Sequence, residues 1–241
     1  MSGAPEAAAP AAGRLGAVKR RLQNGARAAL EPVVTLLARL GARADHLTVT
    51  GLVLSLCSGF VFFEGHSRMA ALLLALAGLC DILDGELARR SGAMSRFGAF
   101  LDSTLDRLSE AAVLLGILGF YLRNLLALVL QPERALLQID SGLEPLTWAV
   151  VAFTVVLGLV GSFMVSYTRA RAEGLGLDCK VGWFERPERM VLLILAGLLR
   201  VFWAMSAALL LLAIVSFATA AQRVAHVHRI TRRSGVDRLG G

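Results

Sequence analysis

Six apolar runs divide the chain, at approximately 47–65, 68–88, 98–121, 146–168, 189–205 and 204–225. Each comes close to the roughly 20 residues a helix needs to cross a hydrocarbon layer about 30 Å thick. The pattern predicts an all-α, polytopic membrane protein whose six transmembrane helices form one domain over 45–230. Between the last two runs the only break is Arg200-Val-Phe-Trp-Ala-Met205, which predicts a very tight outer turn. Ahead of the first run, 14–44 shows helical periodicity with its charges on one side, as expected of an amphipathic juxtamembrane helix lying on a leaflet. Residues 1–13, rich in Ala and Pro, have no hydrophobic pattern and are expected to be disordered, and 231–241 reads as a short tail. A leucine-rich outer loop over 121–145, containing Gln131-Pro132-Glu133-Arg134, reads as an interfacial helix.

Composition agrees with the pattern. Of 241 residues, 56% are hydrophobic and the mean hydropathy is +0.65, values foreign to a soluble domain. The formal charge of +7 bears mainly on orientation. Twenty Lys and Arg residues fall before the first run and after the second, fourth and sixth, whereas the opposite loops hold Arg68, Arg123, Arg134 and Arg200. Positive residues mark the cytoplasmic side, so both termini are predicted there. No basic patch interleaved with aromatics accompanies the charge, which removes nucleic acid as a partner. Cys57, Cys80 and Cys179 are scattered without metal-ligand spacing or a disulfide framework.

Chemistry concentrates where two apolar runs meet on the cytoplasmic side. Asp81-Ile-Leu-Asp84-Gly85-Glu-Leu-Ala88-Arg89 is followed, eight residues on, by Gly98-x3-Asp102-x3-Asp106. Asp81, Asp84, Gly85 and Ala88 recur at i, i+3, i+4, i+7, and Gly98, Asp102 and Asp106 at i, i+4, i+8, so each set shares one helix face. The short polar segment between them predicts antiparallel neighbours whose acidic faces converge. Carboxylates beside hydrocarbon are costly unless a cation offsets them. Oxygen-only ligands favour Mg²⁺, with Mn²⁺ as the alternative, and Mg²⁺ typically binds such sites together with substrate phosphates. The competing reading is close helix packing through small residues, with Asp–Arg pairs.

The pattern Asp-x2-Asp-Gly-x2-Ala-Arg-x8-Gly-x3-Asp-x3-Asp resembles the signature of the CDP-alcohol phosphotransferase family at every specified position. The resemblance implies a membrane enzyme, usually a homodimer, that moves a phosphatidyl group from CDP-diacylglycerol to an alcohol and releases CMP at the cytoplasmic membrane of a prokaryote. It implies that Asp81, Asp84 and Asp102 hold the metal, and that Asp106 is the catalytic base at the same centre. It also places CDP-lipid binding on Asp45, His46, Leu47 and Thr48 with Gly85, Ala88, Arg89 and Ser95. On physical grounds alone, Asp45-x2-Thr48 reads equally well as a helix cap.

Acceptor choice is expected in a second cytoplasmic cluster, Ser166-Tyr-Thr-Arg169-Ala-Arg171-Ala-Glu173 and Phe184-Glu185-Arg186-Pro187-Glu188-Arg189, with Gln222-Arg223. Guanidinium suits phosphate oxygens, although positive-inside topology also places arginine here. Within the family these segments resemble the phosphatidylinositol phosphate synthases of actinobacteria. That likeness implies a phosphorylated polyol as acceptor, 1D-myo-inositol 3-phosphate (inositol 1-phosphate), held by Arg169, Arg189 and Arg223. The loop 177–183 departs from the glycine-rich stretch of those enzymes. Glycerol 3-phosphate is the alternative acceptor. From other classes stand a cation transporter, which calls for inverted repeats and interrupted helices not evident here, and a non-catalytic scaffold.

Overall fold

A computed structural model describes residues 30–39, 41, 43–91, 95–131, 144–182 and 184–234. The expectations for 1–13, for the first part of the juxtamembrane helix up to 29, for the outer segment 132–143 and for 235–241 lie outside the described residues. The described residues form seven helices: α1 (30–39), α2 (Ala44–Phe63), α3 (Ser67–Ser91), α4 (Arg96–Leu130), α5 (Pro145–Gly174), α6 (Arg186–Leu199) and α7 (Phe202–Ser234). No strand occurs among the described residues, in keeping with the all-α expectation.

Where boundaries differ from the sequence reading, local chemistry gives the reason. α4 continues to Leu130 because the leucine-rich 121–130 contains no breaker before Gln131-Pro132, so the first part of the expected outer loop is helix. α1 stops short of 44, since Gly41 at φ +73° turns the chain between it and α2. α6 and α7 are separated only by Arg200 and Val201, and Arg200 adopts the left-handed conformation at φ 54° to make that reversal.

Among the described residues four helices, α2, α4, α5 and α7, are long and apolar enough to cross a membrane. α3 has the length, at 25 residues, but Asp81, Asp84 and Glu86 interrupt its apolar face. α6 has 14 residues, and at about 1.5 Å per residue that falls short of the roughly 30 Å hydrocarbon layer.

From α2 onward the main helix contacts run in a closed order, α2, α3, α6, α7, α5, α4 and back to α2. Leu74, Val113, Leu114, Ile117, Val155, Leu193, Leu209 and Leu212 fill the centre of that ring, while residues such as Phe60 and Phe153 face outward. The α2–α4 crossing is backbone against backbone: a Cβ on Gly116 would lie 2.0 Å from the Gly59 carbonyl oxygen. Such contact is characteristic of helices that meet without a hydrophobic driving force between them.

Ion pairs of Arg186 with Asp81 and Asp106, and of Glu185 with Arg169 and Arg223, join helix ends across the bundle. The end of α3, the start of α4, the end of α5, the start of α6 and the end of α7 therefore share one end of the bundle. At the other end Tyr121, Trp148 and Phe202 pack in tilted and edge-to-face contacts, with ring centroids 5.0–5.7 Å apart. α1 lies against the acidic end, burying Val34 with Leu83 and Leu87 of α3. Arg90 ties it down through Thr35 at 2.9 Å and Glu31 at 3.0 Å.

Candidate active site

α3 and α4 do present their acidic faces to each other. One carboxylate oxygen each from Asp81, Asp102 and Asp106 lies within 4.8 Å of the others. Opposite ligands of a Mg²⁺ or Mn²⁺ ion are about 4 Å apart, so three hard oxygen donors at this spacing fit such an ion. Asp84 is buried and held to one side: its Oδ2 accepts a 2.8 Å hydrogen bond from Thr48 Oγ1. Thr48, Gly51, Leu52, Ala77, Asp81, Asp84, Leu105, Asp106, Ser109 and Arg186 line one cleft between α2, α3, α4 and the start of α6.

The residues expected to bind the CDP-lipid divide into groups. Thr48 joins the acidic cluster through Asp84. Asp45 and His46 are exposed in the first turn of α2, whose N-cap is Arg43, so Asp45 does not serve as the cap. Leu47 instead packs beside Val34 in the small apolar cluster under α1. Ser95 is the N-cap of α4 and accepts the Gly98 N–H at 2.9 Å. Arg89 is exposed and pairs with Glu86 at 2.8 Å. Around Gly85 there is space: an added Cβ would meet only the Arg89 guanidinium, at 3.6 and 3.8 Å. The absence of a side chain there therefore answers no packing demand within the fold, in contrast to Gly59 and Gly116. With Ala88 one turn on, it leaves a shallow surface beside the carboxylates.

The second cluster is more differentiated than the sequence suggested. Arg169 Nε binds Glu173 Oε1 at 2.8 Å, and its Nη1 lies 3.8 Å from Glu185 Oε1. Arg223 is almost wholly buried. Its Nε donates to the Val181 carbonyl at 2.8 Å and its Nη1 to the Val165 carbonyl, leaving Nη2 directed at Glu185 Oε1, 3.8 Å away. These two arginines thus meet around one carboxylate. Arg189 does not join them as a free phosphate donor. It is 1% exposed, grips Glu110 through Nε (2.5 Å) and Nη2 (2.8 Å), and gives Nη1 to the Phe184 carbonyl at 3.2 Å. In the loop 177–183, Lys180 sits in solvent 3.8 Å from Asp178, and Trp183 lies outside the described residues.

Glu110 escaped the sequence reading, which named Glu185 and Arg186 only within the second cytoplasmic cluster, without roles of their own. Glu110 continues the Asp102, Asp106 stripe by one more turn, and a carboxylate that deep in an apolar run must find a cation; that periodicity was the available signal. Arg186, three residues before Arg189, reaches the acidic cluster, with Nη1 at 3.1 Å from Asp81 and 2.5 Å from Asp106. Glu185 lies between the other two arginines. Nothing in local spacing distinguishes Arg186 from its neighbours, because its role depends on how α6 meets α3.

Comparison with known proteins follows the same lines. Residues 42–221 match the model of the CDP-alcohol phosphatidyltransferase family. An archaetidylinositol phosphate synthase of Methanothermobacter thermautotrophicus is 38% identical over 192 residues, covering 78% of this chain and 85% of that protein. The phosphatidylinositol phosphate synthase of Mycobacterium tuberculosis is 32% identical over 218 residues, covering 86% and 88%. Its crystal structure with CDP-DAG bound superposes at a TM-score of 0.65 with 30% identity, over 81% of this chain and 92% of that one. Its structure in complex with manganese and citrate gives 0.64, over 81% and 87%.

Proposed function

The chain belongs to the CDP-alcohol phosphatidyltransferase family, a CMP-releasing class of transferase, and on that premise we propose that it joins the phosphatidyl group of CDP-diacylglycerol to an inositol phosphate. The observation that carries the acceptor is shared by two sets of relatives. Their names differ in the lipid part, archaetidyl in one and phosphatidyl in the other, and agree on inositol phosphate. Arg169 and Arg223, converging on one carboxylate a short way from the acidic cluster, supply a place for the acceptor's phosphate.

In this reading Asp81, Asp102 and Asp106, with Asp84 behind them, hold a divalent ion. When bound, the ion shields the pyrophosphate of the CDP-lipid and favours departure of CMP. An Asp106 oxygen takes the proton of the acceptor hydroxyl as that hydroxyl attacks the lipid-side phosphorus. Thr48 holds Asp84 in place, and the open surface at Gly85 and Ala88, flanked by Arg89, receives the cytidine nucleotide. Arg189 acts from behind, as a positioning residue: through Glu110 and the Phe184 carbonyl it fixes the start of α6. In this reading α3 and α6 are the two further crossings, and the excess of Lys and Arg at the acidic end supports putting that end at the cytoplasmic face of the cell membrane. The working unit is a homodimer, as the family resemblance implies.

Purified protein in detergent, given CDP-diacylglycerol and Mg²⁺, is expected to release CMP with inositol 1-phosphate and far less with glycerol 3-phosphate or free inositol. EDTA should stop the reaction, and Mg²⁺ or Mn²⁺ restore it. Equal rates with glycerol 3-phosphate would refute the acceptor assignment, and no CMP with any acceptor would refute the whole reading.

A further inference from the structure

Two glycines shape the connection between α5 and α6, Gly176 and Gly182, both at positive φ (+75° and +137°). They answer different needs. Gly176 ends α5: its N–H donates to the Glu173 carbonyl at 3.0 Å, and the Leu177 N–H to the Ala172 carbonyl at 3.0 Å, as a left-handed glycine does after a helix. A Cβ there would meet nothing within 4 Å. Gly182 has no helix to end. Its bare Cα lies against α7, where a Cβ would sit 2.9 Å from Thr219 Cγ2 and 3.2 and 3.3 Å from Arg223 Nη2 and Nε.

That close approach brings the preceding carbonyl to the guanidinium. Arg223 Nε donates to the Val181 carbonyl at 2.8 Å, while Nη1 donates to the Val165 carbonyl of α5. Two bonds to a rigid planar group fix its plane. Both acceptors are neutral, so they orient the arginine without offsetting its charge, unlike the Glu110 carboxylate on Arg189. The remaining nitrogen, Nη2, is turned towards the Glu185 oxygen that Arg169 Nη1 also approaches, 3.8 Å from each. Arg223 is 2% exposed, and Cys179 is wholly buried within electrostatic reach of Arg169 and Arg223. Segment 179–182 therefore covers the arginine and holds its orientation.

We propose that Gly182 is a positioning residue for the acceptor's phosphate: only glycine lets the Val181 carbonyl reach Arg223 Nε, and that bond aims Arg223 Nη2 into the acceptor pocket. This rests on the acceptor reading given above. With alanine at 182 the backbone leaves φ +137°, a conformation that side-chain-bearing residues rarely adopt, and the Val181 carbonyl turns away from Nε with it. The new Cβ also crowds the edge of the guanidinium that carries Nη2.

Gly182→Ala and Gly176→Ala, compared in the full chain in detergent micelles, separate this role from backbone strain. Both replace a glycine at positive φ in one connection, and only the first touches Arg223. With CDP-diacylglycerol and Mg²⁺, Gly182→Ala should raise the KM for inositol 1-phosphate at least about tenfold, the worth of one misdirected hydrogen bond to a charged group. Its kcat and its KM for CDP-diacylglycerol should stay near those of the parent. Gly176→Ala should keep the parent's acceptor KM, although both variants melt lower. Inorganic phosphate, titrated by calorimetry, should bind Gly182→Ala at least about tenfold more weakly than the parent. If Gly182→Ala does not fold, Gly182→Ala/Thr219→Ser takes its place, because it removes the nearest clash, Thr219 Cγ2, and keeps the contact with Arg223. Unchanged acceptor KM and phosphate affinity in the position-182 variant, a loss confined to kcat, or an equal rise in KM in Gly176→Ala would each overturn the proposal. Calorimetry needs no turnover, so weaker phosphate binding by Gly182→Ala in a protein that releases no CMP would refute the proposed function and leave the positioning role standing. CMP release with equal phosphate binding in parent and variant would do the reverse.

Discussion

Arg189 offers the sharpest separation of a structural from an acceptor-binding role. Replacing it by Met removes the guanidinium bonded to the Glu110 carboxylate, whose side chain is 4% exposed. Both side chains lie inside the bundle, so no discount for solvent screening applies, and breaking one side of such a pair costs about 3–5 kcal/mol. At roughly 2–4 °C per kcal/mol for a chain of this size, the melting temperature of the detergent-solubilised protein should fall by at least about 6 °C. The double variant Glu110→Leu/Arg189→Met removes both charges and should recover most of the loss, since hydrophobic replacement of a buried pair is often neutral. Circular dichroism melts of the parent, both single variants and the double variant give the coupling directly. If Arg189→Met melted with the parent and only the KM for the acceptor rose, Arg189 would be a phosphate ligand and the argument from Glu110 would fail.

Asp106→Asn should lower turnover by roughly 10²–10⁴-fold, the span of general-base effects, while CDP-lipid binding measured by calorimetry stays within a small factor; parallel loss of binding and rate would exclude the base role. Gly85→Ala should melt with the parent yet release CMP slowly, because its Cβ meets only the movable Arg89 guanidinium and otherwise projects into the nucleotide's surface; a lowered melting temperature would refute this. Gly116→Ala should do the opposite, destabilising by more than about 2 kcal/mol because its Cβ would sit 2.0 Å from the Gly59 carbonyl, and a folded, stable Gly116→Ala protein would show that α2 and α4 can separate without penalty. Arg200→Gly should raise stability by about 1 kcal/mol by relieving a left-handed non-glycine residue, read as a small upward shift in the melt.

The sequence alone determined the helices and the acidic constellation, because both depend on short-range periodicity. Apolar runs near twenty residues produce helices wherever the backbone must satisfy its own hydrogen bonds. Carboxylates three and four residues apart share a face whatever surrounds them. Family membership followed from the same eight positions. Periodicity blurred only at ends, as where α4 ran on to Leu130 for want of a breaker. The tertiary structure decided which arginine does what. Arg169, Arg186, Arg189 and Arg223 are chemically the same, and positive-inside topology places them all at one end. Apart from Arg169–Glu173 within α5, their separate partners, Glu185, the Asp81–Asp106 pair, Glu110, and the carbonyls of Val165 and Val181, are set by the order in which α3, α4, α5, α6 and α7 close the ring. A long cation takes the nearest acceptor that packing supplies, and for Arg186, Arg189 and Arg223 that neighbour is tens of residues away along the chain.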